Sequence, residues 1–154
     1  MLIDFENINE DARIWIYPSK EILSEEDQML IIDKVSIFLN EWEYHQKPLL
    51  SAVAIKEDRF IIVALDDSKY GVGGCSIDAL QRFFLGIEND MNLSLLDRLN
   101  IFCEVNNQIQ CVHLSEISNT VTKETRFFDL TIQKKSDIDS YFKPISDGWC
   151  NRYL

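Results

Sequence analysis

Residues 66–78 read DDSKYGVGGCSID and gather most of the chain's reactive side-chain types into one short stretch. Three of the five glycines, Gly71, Gly73 and Gly74, come just before Cys75 and Ser76. Free backbone N–H groups in a glycine turn that opens a helix can cradle a phosphate or another small anion. A thiol in that first turn, Cys75, has its thiolate favoured by the helix dipole, which is where nucleophilic and redox cysteines occur. Asp66 and Asp67 close an apolar run, and Asp78 falls in the first turn of the next helix. Carboxylates so placed can hold a divalent cation or act as acid and base. The fourth reading is structural: a glycine turn leads a strand into a helix whose start suits Asp78.

Motif chemistry narrows these readings. A Walker A loop requires G-x-x-x-x-G-K-[ST], because the lysine reaches the β- and γ-phosphates and the hydroxyl holds magnesium. GVGGCS supplies the glycines and Ser76 but no lysine. The dinucleotide fingerprint G-x-G-x-x-G is also broken, with serine at position 76. Asp66, Asp67 and Asp78 repel a phosphate and oppose thiolate formation at Cys75. His45 and His113, the only histidines, would have to supply a general base. Cys75 is thus the candidate catalytic residue, with Gly71, Gly73, Gly74, Ser76, Asp66, Asp67 and Asp78 as candidate binding residues. No metal and no cofactor are expected.

These residues need elements to position them. ARIWIY (12–17) reads as a strand stopped by Pro18-Ser19, after an acidic, loosely held arm over residues 1–11. Ser24 with Asp27 three residues later resembles a capping box. Ile31, Val35, Phe38, Leu39 and Trp42 then recur at helical spacing, predicting a helix to about residue 44. LLSAVAIKE (49–57) and RFIIVALDD (59–67) predict two strands around Glu57-Asp58. Ile77, Leu80, Phe83, Phe84, Ile87 and Met91 form one face of a second helix, in which Gly86 costs about 1 kcal/mol. NIFCEV (100–105) and QIQCVHL (108–114) predict a hairpin around Asn106-Asn107. That register pairs 103 with 110 and sets Cys103 and Cys111 on opposite faces, against a disulfide. A short helix near 115–122 and a strand near 126–132 complete the reading.

The order β-α-β-β-α-β matches a ferredoxin-like split βαβ sheet, with one added antiparallel strand and a C-terminal extension. The fold class expected is therefore α+β, in a single domain over residues 1–154. RFIIVAL is apolar on both faces and needs cover on both. Two helices supply one layer; the C-terminal 40 or so residues, or a second subunit, would supply the other.

A net charge of −11 with 27% charged residues argues against nucleic acid and anionic membranes, which need clustered Lys and Arg. Lys134-Lys135 and Arg152 make no basic stripe. No apolar run is long enough to span a bilayer and no signal peptide is readable, so a cytoplasmic location is expected. Cys75, Cys103, Cys111 and Cys150 form no CxxC pair and are expected as free thiols. A protein partner, a homodimer or a small-molecule ligand fits this composition.

RIWIYPS (13–19), the helix through Trp42, RFIIVALDDS (59–68), GGCSID (73–78), DRLNIF (97–102) and ISDGWCNRYL (145–154) together carry a resemblance. They resemble a family of short, uncharacterised bacterial proteins that are labelled automatically as "ABC transporter ATPase". GCSID is the most specific block, and Pro18 and Cys150 depart from the family pattern. The resemblance implies a stand-alone domain without assigned catalytic residues. VGGC followed by Gln81-Arg82 echoes the signature loop of such ATPases, but the Walker lysine is missing. The sequence reading is a non-enzymatic interaction or small-ligand-binding module. A thiol-dependent enzyme at Cys75 and an anion binder at residues 71–76 are its rivals.

Overall fold

A computed structural model describes residues 1–69 and 71–154, and it is a mixed α+β structure. Its chain contacts separate into two compact units. One holds Met1–Leu96 with Gln133–Ser136, and the other holds Asp97–Ile132 with Asp137–Leu154.

In the first unit, β1 (Arg13–Pro18) leads to α1 (Glu25–Glu41), a two-rung hairpin of β2 (Glu43–Tyr44) and β3 (Lys47–Pro48), then β4 (Leu50–Lys56), β5 (Phe60–Asp66) and α2 (Gly74–Met91). β1, β5 and β4 form an antiparallel sheet in that order, with Trp15 opposite Val63 and Val53 opposite Val63 from the other side. All six residues from Phe60 to Leu65 have no solvent exposure, as expected of a strand apolar on both faces. Tyr17, Ile61, Val63 and Leu65 share one core with Ile31, Val35 and Leu39 of α1 and Leu80, Phe84 and Ile87 of α2. The Phe84 ring stacks on Tyr17 at 3.7 Å between centroids. Each such fully buried side chain contributes about 1.5–3 kcal/mol.

The helix limits have local causes. The Asp27 N–H donates to Ser24 Oγ at 3.1 Å, closing the expected cap, and Glu25, Glu26 and Asp27 suit the dipole. α1 stops at Glu41, three residues short of expectation, because Trp42 turns extended and takes a role elsewhere. α2 ends at Met91, and Asn92 after it, with φ 53°, makes a left-handed cap.

NIFCEV does not join the first sheet. In the second unit it is β6 (Asn100–Val105) and pairs with β7 (Gln108–His113) and with β8 (Arg126–Phe128), which in turn pairs with β9 (Phe142–Pro144). The strand expected beside β1 is replaced there by Gln133–Ser136. The Ile14 N–H donates to the Gln133 carbonyl at 3.0 Å, the Lys135 N–H donates to the Ala12 carbonyl at 2.9 Å, and Arg13 bridges antiparallel to Lys134. A single bridge at the start of β1 stands where a whole strand was expected.

The acidic arm is fixed rather than loose. Ile3 N–H donates to the Ser51 carbonyl and Ser51 N–H donates to the Met1 carbonyl, both at 2.9 Å, so the arm caps the free edge of β4. Leu2 packs on the first core. The Lys135 ammonium donates to the Ile8 carbonyl at 2.8 Å and the Glu6 carbonyl at 3.3 Å, and lies 3.3 Å from the Glu10 carboxylate. Lys135 is 8% exposed, so this basic residue is an internal clamp.

The second unit's hairpin has the expected register, with Val105 opposite Gln108 and Cys103 opposite Gln110. None of the four cysteines is in a disulfide. Ile101, Cys103, Phe127, Ile145 and Cys150 form its core with Ile117 of α3 (Ile117–Thr120). Expected strand 126–132 stops at Phe128 because Asp129 turns inward: it accepts from Thr131 N–H at 3.0 Å and from Lys143 at 2.9 Å. Among the described residues, no helix is long and apolar enough to cross a membrane.

Candidate functional site at the start of the second helix

Gly73 is the residue before α2 and has φ −110° and ψ 170°, an extended conformation open to any residue. No described glycine has a positive φ. What demands glycine at position 73 is space. A Cβ there would enter the ring of Tyr44, 2.8 Å from its Cζ. At Gly71 and Gly74 a Cβ would meet nothing within 4 Å. The glycine turn is thus shaped by one aromatic side chain.

Ser76 pins the turn from inside. Its hydroxyl donates to the Glu43 carbonyl at 2.8 Å, and its own carbonyl accepts from the Trp42 indole N–H at 2.9 Å. Ser76 is 4% exposed. The N–H groups of Ser76 and Ile77 donate to the Gly73 carbonyl at 3.1 and 3.2 Å. The hydroxyl and N–H group of Ser76, expected to face a ligand, are therefore committed to the chain itself. Tyr44 also lies 4.1 Å between centroids from the His45 imidazole, so the β2–β3 hairpin and the glycine turn meet at one corner.

The carboxylates do not converge. Asp66 Oδ1 accepts from the Ser68 N–H at 3.0 Å and its hydroxyl at 2.6 Å, closing a local turn after β5. Asp67 and Asp78 are exposed; α2 begins at Gly74, so Asp78 falls beyond the first turn where it was expected, and among the described residues no side chain caps that turn. Among the described residues, no three His, Cys, Asp or Glu side chains come together in a way that could hold a metal ion. Cys75 is exposed in that first turn, and no hydrogen bond joins it to His45 or His113 among the described residues. His113 instead engages Ser115 through Nδ1 at 2.9 Å.

In the first unit burial lowers the pKa of the Met1 amino terminus, and the other perturbed groups lie in the second unit. Burial, with smaller contributions from Cys150 and Cys111, pushes the Cys103 thiol up to about 12. Burial also raises Cys150. Burial pushes the Asp129 carboxyl upward, but hydrogen bonds from Thr131 and Lys143 outweigh it and hold the group below the ordinary range. Raised, buried thiols are inert, so these are core groups.

The sequence singled out the glycines but missed Trp42, Glu43 and Tyr44, which hold them. Trp42 carried a helical-spacing signal that pointed only to a core. Nothing in the pattern pairs Tyr44 with Gly73. No protein-family model, curated protein or solved structure matches the chain.

Proposed function

We propose that this chain is a non-enzymatic interaction module that presents the outward face of α1. The observation that carries this reading is exposure: Met29, Leu30 and Ile37 are 69%, 44% and 66% exposed on a helix whose other side is fully buried. Apolar side chains clustered on a surface mark contact sites more often than scattered ones do. The commitment of Ser76 and Asp66 to their own backbone weighs against the anion-binding reading. A photoreactive residue at position 37 tests the proposal. Saturable adducts in cell extract, competed by unlabelled protein and absent from a probe at exposed Glu57, are expected; equal labelling at both positions would reject it.

A thiol reading keeps one specific support, the exposure of Cys75 in the first turn of an 18-residue helix. Alkylation rate against pH, with Cys75→Ser as control, separates it. A thiol titrating at or above the free-cysteine value would end that reading.

We also infer that the first unit is a ferredoxin-like sheet in reduced form. Its order β1-β5-β4 is that of a split βαβ, and the antiparallel bridge from Lys134 to Arg13 marks the edge that the fourth strand would take. Membership of the short bacterial family is proposed on the GCSID block and the matching tail, which rest on sequence alone.

A further inference from the structure

We infer that the outward face of α1 docks a cationic amphipathic helix of a partner protein, an inference that rests on the interaction-module reading. Ile31, Val35 and Leu39 fix the buried side of α1 at zero exposure. With successive residues about 100° apart, the opposite side carries Glu26, Met29, Leu30, Asp33, Ile37, Asn40 and Glu41, with Lys34 at its border. Leu30 and Ile37 are two turns apart on one line, and Met29 lies beside them. Glu26, Asp33 and Glu41 are exposed and alternate with these apolar residues along the stripe. Single exposed apolar residues such as Ile22 and Leu99 are ordinary, whereas three gathered on one helix face mark a contact surface.

The carboxylates choose the occupant. A second copy packed through this face about a two-fold axis would set like charges together between chains of net charge −11. An anionic membrane is opposed for the same reason. A helix with a Leu- or Ile-rich stripe flanked by Lys and Arg satisfies both halves of the face. Its apolar stripe covers Met29, Leu30 and Ile37, while its cations meet Glu26, Asp33 and Glu41. Met29 suits such a surface because its unbranched thioether adapts to more than one packing.

The probe is a synthetic amphipathic helix of Leu and Lys, about 18 residues or five turns long. A scrambled peptide of equal composition and a Leu/Glu helix are its controls, each titrated into the isotope-labelled full chain by NMR. The Leu/Lys helix should shift amides of residues 26–41 selectively, and its affinity should fall roughly tenfold between about 50 and 300 mM salt. Ile37→Ser and Asp33→Lys should each weaken it roughly fivefold with no change in melting temperature, and Asp33→Lys should favour the Leu/Glu helix. Equal binding of the scrambled peptide, or shifts spread over the whole acidic surface, would overturn the inference. So would a concentration-dependent dimer abolished by Ile37→Asp, although the interaction-module reading would survive that result. Absence of specific crosslinks at position 37 would remove both.

Discussion

Gly73 shows how a residue with an obvious chemical reading can have a steric one. Its backbone angles are ordinary, and only the Tyr44 ring forbids a side chain. Gly73→Ala should cost about 1–3 kcal/mol of stability in denaturant melts, whereas Gly71→Ala should stay within about 0.5 kcal/mol. Tyr44→Ala should absorb most of the Gly73→Ala cost when the two are combined, so an additive pair would show that the contact is not the cause. Cys103 makes a second residue-scale prediction. Its thiol titrates near 12 when folded and near 9 when unfolded, so the protonated form is favoured by the fold. That stability is fully present below pH 9 and is lost as pH rises from 9 towards 12. Cys103→Val should flatten the alkaline part of the stability curve; an unchanged slope would remove Cys103 as its source. At neutral pH, Cys75 should alkylate in the folded protein, while Cys103 and Cys150 should label only on unfolding.

Elements were legible where local chemistry and tertiary structure agree. Asn106-Asn107 tolerates the left-handed conformation, and both residues adopt it, with φ 54° and 62°. Ser24 and Asp27 made the helix start readable for the same reason. Glu57-Asp58 is a turn of the same hand, φ 55° and 56°, built from residues that gain little there. So is His45-Gln46, at 51° and 64°, which carried no turn signal and left the β2–β3 hairpin unread. Asp58→Gly should therefore stabilise the first unit by about 0.5–1 kcal/mol in chemical denaturation, and a loss would mean that the Asp58 carboxylate matters more than its backbone. That competing role is real, since Asp58 accepts from the Gln28 amide at 3.1 Å. Gly86 in α2 has open space around its Cβ position, and Gly86→Ala should add about 1 kcal/mol. Gly148 is the opposite case: a Cβ there would strike the Phe127 ring, so the tail WCNRYL can follow it only over glycine.

At the scale of the whole molecule, sequence order misled because it does not say which sheet a strand joins. NIFCEV has the apolar pattern of an inner strand and is one, in the other sheet. Lys134 sits in a stretch with no alternation at all, yet bridges to Arg13 at the start of β1. The helix faces of the first unit were readable from periodicity, but the neighbours of the glycine turn were not, because Tyr44 reaches it through a tertiary fold-back. Net charge acts on the chain as a whole. With −11 spread over 154 residues, self-repulsion opposes compaction, so melting temperature should rise by a few degrees as salt goes from about 10 to 200 mM. A flat or falling response would show that the surface charges are locally compensated.

The Lys135 clamp also sets an order of events during synthesis. Lys135 and the Ile8 carbonyl that it binds are 127 positions apart. The first sheet and its helices are encoded before residue 97, but the outer edge of β1 and the arm at residues 6–10 must wait for a partner made near the end. On a ribosome adding about 5–20 residues each second, β1 spends several seconds with one edge open. A nascent chain stalled before residue 133 should thus be cleaved by protease within residues 4–12, and one stalled past residue 136, once clear of the exit tunnel, should resist.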